Sequence, residues 1–284
     1  MGGPFRDPFP SDAQSIREIA RKLNADKETV RNRLLILRRK GILLGSHMMV
    51  NPRLLSLAVT RFWCQFSSEA LKQDVIKRLT QMENVSIIYD YFGDSLSFVA
   101  ALSTKDPESQ TEGEEFSSLF KNSFSAVMKF PMSKVTLSKD DWKIYRSLRD
   151  NPKKLQSSIS GETGLTDRTL KRRLSALTEG NAFLISPELD SSRIDGVATE
   201  LLVKYSNNNV PEVIDEVQAE VENYLIHVER FEEPCILFSL ITANFPKAHE
   251  IREKVKVVPG VIDAQLYVVQ EAIRPSAPLM PRKL

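Results

Sequence analysis

The chain is poor in the residues from which most covalent and metal chemistry is built. Its 284 residues hold two cysteines, Cys64 and Cys235, and three histidines, His47, His227 and His249. The cysteines sit far apart in apolar, strand-like runs, so two buried thiols are expected rather than a disulfide or a metal pair. No acid, base and nucleophile recur together, so the expectation is no enzyme, no metal site and no cofactor. A run of about 20 apolar residues, which a membrane span requires, is missing. So is a basic-then-apolar leader. A cytoplasmic protein with no membrane partner is expected.

What is present is ordinary in amount and uneven in place. The composition is 42% hydrophobic and 27% charged, as in soluble globular proteins, and the length suits two to four small domains. The formal net charge of +2 conceals an asymmetry. From Ile16 to Arg53 there are 10 Lys or Arg against 3 Asp or Glu, and from Lys139 to Gly196 there are 11 against 9. The stretches after each are acidic, 8 against 10 from Leu54 to Ser138 and 9 against 13 from Val197 to Leu284. Basic charge gathered on part of the chain is what a nucleic-acid contact surface requires.

The stretch Asp26 to Lys40 carries the densest cluster. Val30, Leu34, Leu37 and, less strictly, Leu35 and Ile36 place apolar side chains on one helical face. Asp26 is positioned as N-cap, so the helix should start at Lys27. A second, shorter apolar stripe of Ile16, Ile19, Ala20 and Leu23 precedes it across the tight connection Asn24 to Ala25. Two short helices so joined make a helix-turn-helix, whose second helix enters the major groove with its first residues on base edges. Lys27, Glu28, Thr29, Arg31 and Asn32 are then expected at the bases, and Arg33, Arg38, Arg39 and Lys40 at phosphates. The competing reading is a solvated cationic face on an ordinary helix. After Gly41, I-L-L-G-S-H-M-M-V reads as two short strands around Gly45, a wing from which His47 and Arg53 would touch the backbone, with an exposed loop role the plainer reading for His47.

The pattern occurs twice. Shifting the chain by 140 residues brings T-V-R-N-R-L-L-I-L (Thr29 to Leu37) onto T-L-K-R-R-L-S-A-L (Thr169 to Leu177), with Thr166 in the place of Asp26. Arg168, Thr169, Lys171, Arg172 and Arg173 become the second set of DNA-binding candidates. In the second copy Glu188 and Asp190 occupy the wing, and acid near phosphate costs affinity. The repeat continues with a one-residue slip: F-W-C-Q-F-S meets L-L-V-K-Y-S, and Phe92 falls on Phe231. The second copy opens with an amphipathic helix, Asp140 to Asp150, burying Trp142, Ile144 or Tyr145, and Leu148. Pro4, Pro8 and Pro10 forbid that helix in the first copy. It is absent there, replaced by the segment of Phe5 and Phe9, or begins upstream; if absent, the first module should be the less stable.

Between the basic parts the period changes. Strand, helix, two strands, helix and a short strand at Lys134 to Leu137 give β-α-β-β-α-β from Val59, with the second helix at Glu114 to Phe124. The second copy repeats the order from Val197 to Val269. This is the ferredoxin-like split arrangement. The acidic loop after Lys105 is expected to be flexible and disordered in part, and the tail from Arg274 extended and unpacked. The fold class is α+β: two winged helix-turn-helix domains and two ferredoxin-like βαββαβ domains in alternation. The expected divisions are 1–56, 57–138, 139–196, 197–272 and a tail at 273–284.

This order of parts resembles the leucine-responsive and AsnC family of bacterial and archaeal transcription regulators. The resemblance rests on I-R-E-I-A-R-K-L, T-V-R-N-R-L and L-R-R-K-G-I-L, on Asn51-Pro52 before the first strand, on F-G-D between the middle strands, and on V-P-G-V followed by Y-V-V. It implies a regulator that binds double-stranded DNA. It also implies that the second domain of each module, the RAM domain, mediates pairing and homo-oligomer formation and binds a small effector, typically an amino acid. The corresponding turn is Gly93, Asp94 and Ser95; the second copy has Glu232, Glu233 and Pro234 there, which argues against the same pocket. One chain owning both halves implies a RAM pseudo-dimer bearing two unlike reading heads. The alternatives are an assembly module in which only the first head binds DNA, and an enzyme similar to the sirohaem decarboxylases, which resemble this architecture.

Overall fold

A computed structural model describes residues 16–22, 24–105, 123–149, 151–190, 193–206 and 210–275. The proline-rich N-terminus, the acidic loop, the helix predicted from Glu114 as far as 122, Leu23 and the end of the tail lie outside the described residues. In chain order the elements are α1 (Ile16–Lys22), α2 (Lys27–Arg39), β1 (Leu43–Val50), a 3-10 turn (Pro52–Leu55), β2 (Leu57–Gln65), α3 (Glu69–Leu79), β3 (Val85–Tyr91), β4 (Ser95–Ser103), β5 (Ser123–Val127), α4 (Lys139–Leu148), α5 (Gln156–Thr163), α6 (Asp167–Glu179), β6 (Phe183–Leu189), β7 (Val197–Tyr205), α7 (Val210–Val221), β8 (Leu225–Arg230), β9 (Cys235–Thr242), α8 (Phe245–Lys256) and β10 (Val261–Ile273). They fall into two compact units, each assembled from two separate stretches of chain.

The first unit is Met1–Leu55 with Phe130–Ile194. Its helices follow local rules. Ser138 and Asp141 form a capping box at the start of α4, which buries Ile144, Tyr145 and Leu148; Trp142 is only half-buried and meets Tyr145 edge-on. The turns recur at one interval. Asn24 and Gly164, and likewise Gly41 and Asn181, lie 140 residues apart and share a left-handed backbone, with φ of 46° and 72° and of 69° and 52°. Such a turn admits Gly or Asn at little cost.

The wing is corrected. β1 continues through Gly45, whose φ is not positive, and pairs antiparallel with β6 from Leu43↔Leu189 to Val50↔Phe183, with a one-residue register shift between Leu43 and Gly45. Met48, Val50, Phe183 and Leu184 bury side chains there. This pairing takes apolar side chains of both strands out of water. Asn51, fully buried, follows at once: its Nδ2 donates to Pro131 O (2.8 Å) and Asn181 O (2.9 Å).

The second unit is Ser56–Lys129 with Asp195–Leu284. Its eight strands form one sheet in the order β5-β2-β4-β3-β10-β7-β9-β8. β3 meets β10 antiparallel. The two edge strands also approach: Met128 bridges Phe231, Lys129 N donates to Arg230 O (2.7 Å) and Glu232 N to Val127 O (2.8 Å). Hydrogen bonding at both seams leaves few exposed strand edges. One face of β2, β3 and β4 packs Phe62, Cys64, Leu96 and Phe98 with Ile76 and Leu79 of α3. The corresponding face of β7, β9 and β10 packs Leu201, Val203 and Phe238 with Val213, Val217 and Ile251 of α7 and α8. The opposite faces share a third cluster, Trp63, Tyr91, Leu202, Phe231 and Leu237. Strands buried on both faces read as continuous apolar runs.

The short strand expected to close the first β-α-β-β-α-β run lies elsewhere. It is β5, on Ser123–Val127, paired with β2 from Thr60↔Val127 to Cys64↔Ser123; residues 131–138 form no strand. The alternation in S-F-S-A-V sends Ala126 and Phe124 to the shared cluster, a period of two that the predicted helix end obscured. Val135 is used elsewhere: its Cγ2 lies so close to Gly180 that a Cβ there would sit 2.2 Å away.

Candidate nucleic-acid interface

The Asp26 carboxylate caps α2 as the sequence requires, accepting from Thr29 N (2.8 Å) and Thr29 Oγ1 (2.5 Å). The Thr29 hydroxyl, then the amides of the first turn, hold its pKa below the ordinary aspartate value. A carboxylate at a helix N-terminus is stabilised by the free amides it faces. Val30 is the residue α2 buries, with Leu34 and Leu37 half-buried. Leu35 and Ile36 are exposed at 40% and 51%, so the apolar face is narrower than the pattern suggested. Lys27, Glu28, Arg31, Asn32, Arg33, Arg38, Arg39 and Lys40 are all exposed, and Thr29 is half-buried. Arg31 Nη1 reaches Glu28 Oε2 at 2.7 Å, both in solvent. That pair must open before Arg31 can meet a base, at a small cost for an exposed pair.

The corresponding helix 140 residues on, α6, is capped alike and charged differently. Thr166 caps α6 by accepting from Thr169 N (3.3 Å), and Leu170 and Leu177 are buried. Arg168, Lys171 and Arg172 are exposed and Thr169 is half-buried. Asp167, in the first turn, accepts from Ser160 Oγ. Arg173, an expected phosphate contact, is engaged within the protein. Its Nη1 donates to Ser138 Oγ (2.8 Å) and Asp141 Oδ1 (3.0 Å), tying α6 to the cap of α4. Burial pushes the Asp141 carboxyl up, but the Ser138 hydroxyl and amide and the Arg173 guanidinium more than offset it and leave its pKa lowered. Arg173 is thus a structural cation, whereas its counterpart Arg33 is exposed.

With no wing, the two residues assigned to it find other places. His47 is exposed on β1 opposite Ser186. Arg53 stands in the 3-10 turn, its Nε donating to Phe130 O at 3.1 Å. Glu188 lies opposite Gly45, and Asp190 pairs with Arg193 at 2.9 Å.

The turn of Gly93, Asp94 and Ser95 is engaged within the protein. Gly93 has φ 89°. Lys72 Nζ, buried, donates to Tyr91 O (3.0 Å) and Gly93 O (2.6 Å) and pairs with Asp90 at 2.8 Å. Asp94 accepts from Gln65 Nε2 at 3.1 Å. Ser95 alone of the three borders an open cleft of about 420 Å³, beside Gln65, His249, Arg252 and Tyr267. Lys72 gave no signal in the sequence, being one lysine in an amphipathic helix.

Sequence reasoning also missed the charged cluster inside the second unit. Arg61, fully buried, is 2.5 Å from Glu200 and 2.8 Å from Glu229, and its Nη2 donates to Ser97 Oγ at 2.8 Å. The Tyr91 hydroxyl donates to Glu200. The guanidinium lies over Tyr89, 4.3 Å from the ring centre, and 5.4 Å from that of Trp63. Burial alone would lower its pKa; Glu200 and Glu229 raise it well above the ordinary value.

Both cysteines are buried free thiols. No metal-holding group of His, Cys, Asp or Glu occurs among the described residues, and none of their helices is long and apolar enough to cross a membrane.

No protein-family model matches the chain. In sequence it is similar to the HTH-type transcriptional regulator Ptr1 of Methanocaldococcus jannaschii, 30% identical over 96 residues, which are 34% of this chain and 64% of that protein. The match therefore spans less than two thirds of the relative's length. Among solved structures, the siroheme decarboxylase NirDL aligns over 93% of this chain and 87% of its own, with a TM-score of 0.59 and 14% identity. A transcriptional regulator of Neisseria meningitidis in complex with L-Met aligns over 52% of this chain and 98% of its own, with a TM-score of 0.36 and 19% identity. The chain thus shares its α+β fold with NirDL and, over a third of its length, sequence with a helix-turn-helix regulator.

Proposed function

We propose that this protein is a DNA-binding transcription regulator, not an enzyme, made of two copies of one module whose helix-turn-helix parts form two unlike reading heads. The observation that carries the reading is α2. It is capped at Asp26, anchored at Val30, and turns Lys27, Arg31, Asn32, Arg33, Arg38, Arg39 and Lys40 to solvent. That arrangement fits a major groove, with base contacts from the first turn and phosphate contacts from the rest. The heads carry different residues at the base-facing places: Lys27, Glu28, Arg31 and Asn32 against Asp167, Arg168, Lys171 and Arg172. The preferred duplex is therefore asymmetric.

Selection of bound sites from random duplex DNA tests this. An asymmetric consensus is expected; a perfect palindrome, or no enrichment in dilute buffer, would overturn it. If the heads together neutralise roughly 6 to 10 phosphates, affinity falls on the order of a thousandfold or more between 50 and 200 mM salt.

The engagement of Arg173 with Asp141, and Asp167 at the tip of α6, favour a second reading for the second head, as a protein-contact module. Replacing Arg168, Lys171 and Arg172 together with Ala in the full chain separates the two: unchanged DNA affinity assigns DNA binding to the first head alone. Incubation with sirohaem under anaerobic conditions, followed by absorbance, tests the activity named for NirDL.

A further inference from the structure

We propose that Arg61 and Glu200 are a matched pair that selects which half of the second unit packs against which. The inference rests on reading the unit as two copies of one module, and uses their hydrogen-bond register to identify equivalent places. Phe66 N donates to Asp94 O (2.8 Å) where β2 leaves β4, and Tyr205 N donates to Pro234 O (3.0 Å) where β7 leaves β9. Five residues before each donor stand Arg61, opposite Val99, and Glu200, opposite Ser239. The same position thus holds a cation in one half and an anion in the other, and the two side chains meet at 2.5 Å with 0% and 2% exposure.

A buried charge needs an opposite charge and hydrogen bonds around it, and here both sides are met. Arg61 spends its donors on Glu200, Glu229, Ser97 and Tyr91. Pairing of two first halves, one from each of two chains, would bury Arg61 against Arg61. Two second halves would bury Glu200 against Glu200. Either arrangement leaves uncompensated charge in a dry interior, so first-with-second pairing is selected by repulsion in the alternatives as well as by attraction. The partner this surface fits is the unlike half, from the same chain or, by exchange, from a second copy.

The test uses the full chain with E229Q throughout, which leaves a one-to-one pair. R61E and E200R are each expected to lower the folding equilibrium on the order of a hundredfold or more, the usual consequence of breaking a buried pair. The double variant R61E/E200R restores opposite charge and is expected to recover most of that loss. Where a single variant fails to fold alone, refolding the two in a 1:1 mixture supplies the decisive measurement. Arg61 of one chain then finds Glu200 of the other, and sedimentation should show a species of twice the chain mass, absent from either variant alone. A double variant no more stable than the sum of the single losses, with no such species in the mixture, would overturn the proposal. DNA affinity of the refolded species reports separately on the regulatory reading, so the two failures are distinguishable.

Discussion

Asn51 Nδ2 donates to Asn181 O at 2.9 Å, so one side-chain amide joins the end of β1 to the left-handed turn after α6. The same nitrogen donates to Pro131 O, Asn51 Oδ1 accepts from Arg53 N (3.1 Å), and the Asn51 amide donates to Ala182 O (2.8 Å). Every polar atom on this fully buried side chain is used.

Replacing Asn51 with Ala strands two carbonyl oxygens and one amide, at a cost of about 1–3 kcal/mol in unfolding free energy. Asn51→Asp should be at least as harmful, because a carboxylate has no proton to offer Pro131 O and Asn181 O. Urea denaturation measures both; an Asp variant as stable as wild type would refute the assignment.

On DNA, Arg38→Ala and Arg39→Ala together should weaken binding to all sequences alike and reduce the salt slope by about 2. Arg31→Ala should instead relax base choice, at about 1–3 kcal/mol of discrimination. Glu28→Gln releases Arg31 from its ion pair and should tighten non-specific binding. Titrations on cognate and scrambled duplexes at two salt concentrations distinguish these effects.

Arg173→Ala should cost stability and leave DNA affinity nearly intact. The sign of the pH dependence follows from Asp141. Its folded pKa lies below the ordinary 3.8, so its contribution is present above that value and disappears as pH falls through the lower, folded value. Thermal melting of wild type and Arg173→Ala from pH 7 to pH 2 should show a gap that narrows only in the acid limb. A gap that closes near neutrality would assign the effect to another group.

The thiols should be inert. Burial pushes Cys64 well above the ordinary thiol value, and burial with Glu233 takes Cys235 up to about 12. The thiolate is the reacting form. A thiol-specific chromogenic reagent at pH 8 should therefore titrate no cysteine in the native protein and two after denaturation.

Some elements were legible residue by residue. The cap at Asp26, the start of α2 at Lys27 and the buried Ile144 and Leu148 of α4 all depend on neighbours within one or two turns. β7 through β10 were readable to within a few residues because their apolar runs are bounded by Gly, Pro and Asn. Lys134 to Leu137 misled for the same local reason: an apolar-polar alternation looks like a strand whether or not a partner strand lies beside it. Arg173 misled because a basic residue at the expected helical position says nothing about an aspartate two helices earlier.

By itself, then, the amino-acid order determined where the capped helices α2 and α3 begin, where β7 through β10 run to within a few residues, and that one pattern returns at an interval of 140 residues. Those properties arise from side-chain periodicity, capping and backbone sterics, which act over a few residues. Only the tertiary structure decided that β1 pairs with β6 instead of forming a wing, that the eight-stranded sheet meets itself at β5 and β8, and that Arg61 lies against Glu200. Each of these depends on groups more than a hundred residues apart, and their energies come from desolvation and charge pairing that exist only once the two halves are in contact.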